Sequence, residues 1–271
     1  MSLLWIDRMA VDVRGEGDAV VFIHGLGGSL NAWTPLLPAL QRQRCIRLDL
    51  PGAGRSNQAY ALGNANAHGG RISTETQAEA VLRVFDVLGL KHAHVVGHSY
   101  GTLIAQVLAA REPGRVRSLA LFGALLEPSQ AMRDTMRGRA ALAREQGLFD
   151  IAEAVSQAGL SASSRETQPV SVAYVRETIG AQDAEGYARN CLALGESHAA
   201  RLELIRCPTL IVNGDEDVVT PLSNARLLAD RLCAHGTAVR VEVLGRCGHW
   251  PMLERTADAQ RLLRDFLDKQ R

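Results

Sequence analysis

A chain of 271 residues that is 46% hydrophobic buries a full core, which excludes a disordered protein and suits one large domain or a domain carrying an inserted piece. With 30 basic against 29 acidic residues the net charge is +1, so nothing marks it for nucleic acid or an anionic membrane, and a small-molecule substrate is the expected partner of a monomer or homodimer. Five scattered cysteines never spaced as CxxC, no apolar run long enough to cross a bilayer, and a start (MSLLWIDRMAVDVRG) without a basic leader or cleavage pattern fit a reducing cytoplasm better than secretion or a zinc knuckle.

In chain order, residues 19–24 (AVVFIH) and 45–50 (CIRLDL) are short, β-branched and almost continuously apolar, as parallel strands buried on both faces should be. The stretch 57–73 (NQAYALGNANAHGGRIS) carries turn-forming Gly and Asn and reads as a long surface loop. Thr74 to Leu88 then sets Ala78, Val81, Leu82, Phe85 and Leu88 on one helical stripe. Further strands are expected at 92–98 (HAHVVGH) and 116–122 (VRSLALF), separated by the uniformly apolar helix Thr102 to Ala110. From 125 to 201 this rhythm breaks. Helical stripes over 129–146, 149–159, 170–180 and 184–195, with no convincing strand, predict a cap that has little core of its own and lies on the sheet. Alternation resumes with 209–213 (TLIVN), 222–232, 239–244 (VRVEVL) and 256–267. The expected fold is α/β, a mostly parallel sheet with helices on both faces, its core formed by 1–124 and 202–271 and its inserted helical cap by 125–201. Ligands then belong at the carboxyl ends of the strands.

Four motifs fall at such strand ends. His24-Gly25-Leu26-Gly27-Gly28 follows the first of these strands, where little side-chain bulk lets the backbone approach a reacting group. Gly97-His98-Ser99-Tyr100-Gly101 joins a buried strand to a helix, the context of a G-x-S-x-G nucleophile elbow in which Ser99 sits on a sharp turn between small neighbours. The N–H groups of Leu26 and Tyr100 are the expected oxyanion hole, each such donor lowering the barrier by about 2.7–4 kcal/mol. Asn213-Gly214-Asp215-Glu216-Asp217 offers three carboxylates, one of which would orient a histidine while the others cap the turn. Arg246-Cys247-Gly248-His249-Trp250 supplies that histidine, His249, as general base. The order Ser, Asp, His is the one this fold class uses.

Other side chains receive blander readings. His24 reads as a structural tie between loops. His92, His94 and His98 lie in or beside a buried strand with no carboxylate cluster, so no metal is expected and the chemistry needs no cofactor. Trp33 and Trp250 are candidate substrate-binding residues with core packing as the alternative, and Arg189 is a candidate carboxylate partner with a solvated surface position as the alternative.

Over nearly its whole length the sequence resembles the α/β-hydrolase superfamily, through FIHGLGG at 22–28, DLPGAGRS at 49–56, GHSYG at 97–101, NGDEDVVTP at 213–221 and GHW at 248–250. That resemblance implies that the acid is Asp217, with Asp215 in reserve. AEGYARNCLAL at 184–194 is similar to 3-oxoadipate enol-lactonase-like hydrolases, which implies an ester or lactone substrate. CGHWPMLERTADAQRLLRDFL at 247–267 also resembles the carbon–carbon hydrolases of meta-cleavage products, which implies a dienone. The 57–73 loop is longer than an enol-lactonase is expected to carry. A third expectation is a hydrolase-fold receptor that binds a small ligand with little turnover.

Overall fold

A computed structural model describes residues 2–57 and 71–270. The expected loop at 57–73 thus falls almost wholly on residues outside that description. Eight strands form one sheet among the described residues: β1 (Ser2–Ile6), β2 (Met9–Arg14), β3 (Asp18–Ile23), β4 (Gln43–Leu48), β5 (Ala93–His98), β6 (Val116–Phe122), β7 (Thr209–Gly214) and β8 (Val239–Leu244). Their order across the sheet is β1-β2-β4-β3-β5-β6-β7-β8. All pairs from β4 onward are parallel, whereas β1 with β2 and β2 with β4 are antiparallel.

The β1–β2 hairpin is absent from the expected elements, for a physical reason. Its two-residue turn is Asp7-Arg8, both at positive φ (45° and 69°), where the usual hairpin signal is Asn-Gly or Asp-Gly. A bulky residue in a glycine's place conceals the turn.

Helices cover the sheet in the anticipated places. The first, α1 (Thr74–Val87), opens with a capping box in which the Ser73 hydroxyl accepts the Thr76 N–H at 3.2 Å. The second, α2 (Tyr100–Arg111), is buried at every position but its last, as a helix between sheet and covering elements must be. Between β6 and β7, inside the interval expected as a cap, run α3 (Gln130–Gln146), α4 (Phe149–Ala158), α5 (Ala162–Thr167), α6 (Pro169–Gly180) and α7 (Ala184–Glu196). Only α5 goes unanticipated; six residues are too few to show a period, though Ser161 caps it by accepting the Ser164 N–H at 3.1 Å. α3 packs on α7, and a methyl added at Gly195 of α7 would sit 3.3 Å from Met136 of α3. The C-terminal part carries α8 (Leu222–Ala234), α9 (Pro251–Glu254) and α10 (Thr256–Asp268).

β5 and β7 are buried along their whole length, and both end on a motif singled out above. The parallel register sets the ends of β3, β5, β6 and β7 side by side, pairing Ile23 with Gly97, Gly97 with Leu121 and Leu121 with Ile211. Every candidate catalytic residue therefore leaves the sheet at one edge. Among the described residues, no helix is long and apolar enough to cross a membrane.

Candidate active site

Ser99 follows β5 directly and has φ 53° and ψ −121°, a conformation an L-residue adopts only when its surroundings impose it, at a cost of about 1–3 kcal/mol. Its own backbone is clamped: the Ser99 N–H donates to Phe122 O at 2.9 Å, and the Thr102 hydroxyl donates to Ser99 O at 2.6 Å. Glycines make the turn possible. A methyl on Gly97 would lie 2.5 Å from Gly101 O, one on Gly101 would lie 2.6 Å from His24 O, and one on Gly25 would lie 2.9 Å from the Ser99 Cβ. The loop after β3 and the elbow after β5 thus pack backbone to backbone.

The Leu26 and Tyr100 amides flank that contact. Tyr100 is the first residue of α2, so its N–H has no intrahelical acceptor, and neither amide has a hydrogen-bond partner among the described residues. His24 holds the loop in place: its Nδ1–H donates to Gly25 O at 2.7 Å while its Nε2 accepts the Leu50 N–H at 3.0 Å. Burial lowers its pKa against the opposing pull of Asp49, which keeps the ring neutral and able to accept. This is the structural tie expected of it.

Past β7, Asp217 is buried and accepts four hydrogen bonds. Oδ1 takes the N–H groups of Val219 (2.9 Å) and Thr220 (2.8 Å); Oδ2 takes the Thr220 hydroxyl (2.8 Å) and His249 Nδ1–H (2.9 Å). Burial pushes its pKa up, but His249 and the Thr220 donors outweigh burial and hold it below the usual carboxylate range. Gly123, at φ 58°, lies against the imidazole, where a methyl would be 3.1 Å from Nδ1. With Nδ1 committed to Asp217, Nε2 is the nitrogen left to act on a substrate or nucleophile.

The other acids of this turn have different tasks. Asp215 Oδ1 accepts the Cys247 N–H at 3.1 Å, and Glu216 Oε2 accepts the Ala162 N–H at the start of α5 at 2.9 Å. Sequence alone left three carboxylates open; burial and partners separate them.

Trp33 requires a correction as a substrate-binding residue. It is 0% exposed, its indole packed against Phe22, Phe122 and His98 at centroid distances of 5.3, 5.9 and 6.4 Å, so it belongs to the core beneath the site. Trp250 is buried too, its ring tilted by 43° against His98 at 4.7 Å, with an indole N–H that has no partner among the described residues. Arg189 lies on α7 in an ion pair with Glu185 (2.7 Å), on the solvated side. His94 Nδ1 bonds the Ser118 hydroxyl at 2.7 Å, His92 is exposed, and no group of His, Cys, Asp and Glu among the described residues is arranged to hold a metal.

Several contributors escaped the sequence. His98 Nε2–H donates to the His249 carbonyl at 2.7 Å; Thr220 bridges Asp217 and His249; Gln182, between α6 and α7, reaches the carbonyls of Gly27 (3.2 Å) and Gly28 (3.3 Å) and accepts the Gly54 N–H (2.8 Å). The one local signal was the Thr220-Pro221 step entering α8. The rest join residues 29 to 155 positions apart, which no local pattern reports.

This geometry has counterparts. The family described as alpha/beta hydrolase fold matches residues 18–256. The acetyltransferase component of the acetoin cleaving system of Pseudomonas putida is 29% identical over 95% of this chain, which spans only 66% of that protein's length. 2-Hydroxymuconate semialdehyde hydrolase of Pseudomonas sp. (strain CF600) is 29% identical over 93% of this chain and 88% of its own. Among solved structures, the enol-lactonase from Burkholderia xenovorans LB400 superposes with a TM-score of 0.85 at 26% identity, covering 98% of this chain and 100% of that one.

Proposed function

Since the chain belongs to the α/β-hydrolase fold family and is an enzyme of that hydrolase kind, we propose that it cleaves a carboxylic ester or lactone of a small molecule through an acyl-enzyme. The observation that carries this reading is a serine in a strained strand-to-helix turn at the same end of the sheet as a histidine whose Nδ1–H is fixed on a buried carboxylate at 2.9 Å. Ser99 Oγ attacks the carbonyl carbon while His249 Nε2 takes its proton. The carbonyl oxygen, now an anion, lies on the N–H groups of Leu26 and Tyr100. Collapse expels the alcohol, or opens the lactone ring, as His249 returns the proton to the leaving oxygen. Water, deprotonated by His249, then attacks the acyl-enzyme, and Ser99 leaves with that proton. Asp217 stabilises the imidazolium in both halves without itself being protonated. Residues 125–201 act as a cap over this edge of the sheet and supply the walls that select the substrate.

The experiment is labelling with a fluorophosphonate, location of the adduct by mass spectrometry, and turnover of short acyl esters, lactones and a dienone by the same sample. Label on Ser99 with ester or lactone turnover is the expected result, and Ser99→Ala should lower kcat by about 10⁶-fold. A folded sample that fails to label at Ser99 overturns the mechanism. Turnover of the dienone but not of esters would favour carbon–carbon cleavage, a second reading supported by Trp250 directly after His249 and by the semialdehyde hydrolase relative.

A further inference from the structure

Glu254 is 3% exposed at the end of α9, five residues beyond His249, and its charge is met by backbone N–H groups rather than by a cation. Oε1 accepts Gly248 N–H at 3.0 Å and Trp250 N–H at 3.1 Å; Oε2 accepts Gly248 N–H at 3.0 Å and Ser161 N–H at 2.8 Å. Two of these donors flank His249, and the third belongs to the chain entering α5. The same junction carries further ties. His249 N–H donates to Gly159 O at 2.7 Å, and the Gln168 amide donates to the Glu254 carbonyl at 3.1 Å. Packing leaves no slack there: a methyl on Gly248 would lie 2.6 Å from Gly159 O and 2.7 Å from Ser161 N.

We propose that Glu254 is a positioning residue that fastens the backbone on both sides of His249 to the inserted segment Gly159–Ser161, so that the cap and the general base move as one body. This rests on the reading of His249 as base. The physical case is that an acceptor-only carboxylate suits several convergent N–H donors, and charge-assisted bonds of this kind are about twice as strong as neutral ones. A ring held only at Nδ1 could still swing with its backbone; Gly159 O, His98 and Glu254 together fix that backbone on every side. A substrate that displaces the cap would therefore displace Nε2 with it.

Two variants of the full chain test the coupling from opposite ends. Glu254→Gln keeps the shape but turns an amide NH₂ toward the donors. Ser161→Pro removes the cap's N–H, at a residue whose φ of −60° proline adopts without strain, together with the hydroxyl that caps α5; Ser161→Ala, which removes the hydroxyl alone, is its control, and the difference between the two reports the N–H. Glu254→Gln and Ser161→Pro should both lower kcat on an ester or lactone that the wild type turns over, by about 10- to 100-fold, with KM within about twofold, since a base displaced by about an ångström loses rate rather than binding. Both should also speed amide hydrogen exchange at Gly248 and Trp250. If Ser161→Pro leaves exchange at Gly248 and Trp250 and kcat unchanged, the coupling is overturned; a rise in KM at constant kcat in Glu254→Gln overturns positioning. Exchange is read without turnover, so a failure of Ser99 to label, which would remove the hydrolase reading, leaves the coupling measurable by itself.

Discussion

The serine and the histidine reach the same edge of the sheet by different means. Ser99 is held by close backbone packing and by bonds to its own main chain from Phe122 and Thr102: Gly97, Gly101 and Gly25 allow two turns to touch, and each lies within four residues of the elbow or in the neighbouring strand's own motif. His249 sits in a loop held by side chains from four places, Asp217, Thr220, His98 and Glu254, and by a carbonyl of the inserted helices. One half of the site is therefore broken by adding a methyl group, the other by removing a polar atom.

The largest expected effect sharpens the histidine half. Asp217→Asn should lower kcat by about 10⁴-fold, because an amide at this position leaves the imidazole in the wrong tautomer and its cation without support. Asp215→Asn should cost less than about threefold, since the amide oxygen still accepts the Cys247 N–H. Steady-state kinetics on one ester measures both, and comparable losses would reverse the assignment of the acid.

A smaller effect is expected on the serine half, from the change that looks mildest. In Gly25→Ala the new methyl would meet the Ser99 Cβ at 2.9 Å and His98 O at 3.1 Å, too close unless the loop after β3 retreats. That retreat withdraws the Leu26 N–H from the oxyanion, so kcat should fall about 10²- to 10³-fold with KM little changed. A variant that keeps wild-type kcat would mean that Leu26 is not a donor.

The same contrast explains what was legible in the sequence. The elbow and the Gly25 loop could be read because their requirements are local: small residues at fixed offsets after a buried strand. So could the helices of the inserted segment, except α5, and the parallel strands. The Asp7-Arg8 hairpin could not, because residues other than glycine occupy its positive-φ positions. Nor could Trp33 be told from a pocket wall, since a large aromatic looks the same in either role until its neighbours Phe22 and Phe122 are known. Gln182 and His98 were silent because their partners come from other parts of the fold, as was the tie of Glu254 to Ser161.

Stability against pH gives the gentlest test, and it falls on both halves. Burial, reinforced by the neighbouring His249, pushes the His98 pKa down to about 3, against about 6.5 in an unfolded chain. Between those values the unfolded chain binds a proton that the folded chain refuses, so stability is fully present above about pH 6.5 and drains away as pH falls toward 3. His24, depressed for the same reason, acts in the same sense. Asp217, also depressed, adds its own loss only below about pH 4, where an unfolded carboxylate takes up a proton. Urea midpoints between about pH 6.5 and about pH 4.5 thus isolate the histidines. The slope should be shallower by up to about one proton in His98→Gln than in the wild type. An unchanged slope would mean that His98 is protonated in the fold. It could then donate from both ring nitrogens, and Nδ1, which has no partner among the described residues, would need one beside Gly25, where a methyl would already lie 3.0 Å away. His98 precedes Ser99 in the elbow and bonds the His249 carbonyl, while His24 holds the loop packed on that elbow, so acid should loosen both halves over one pH window.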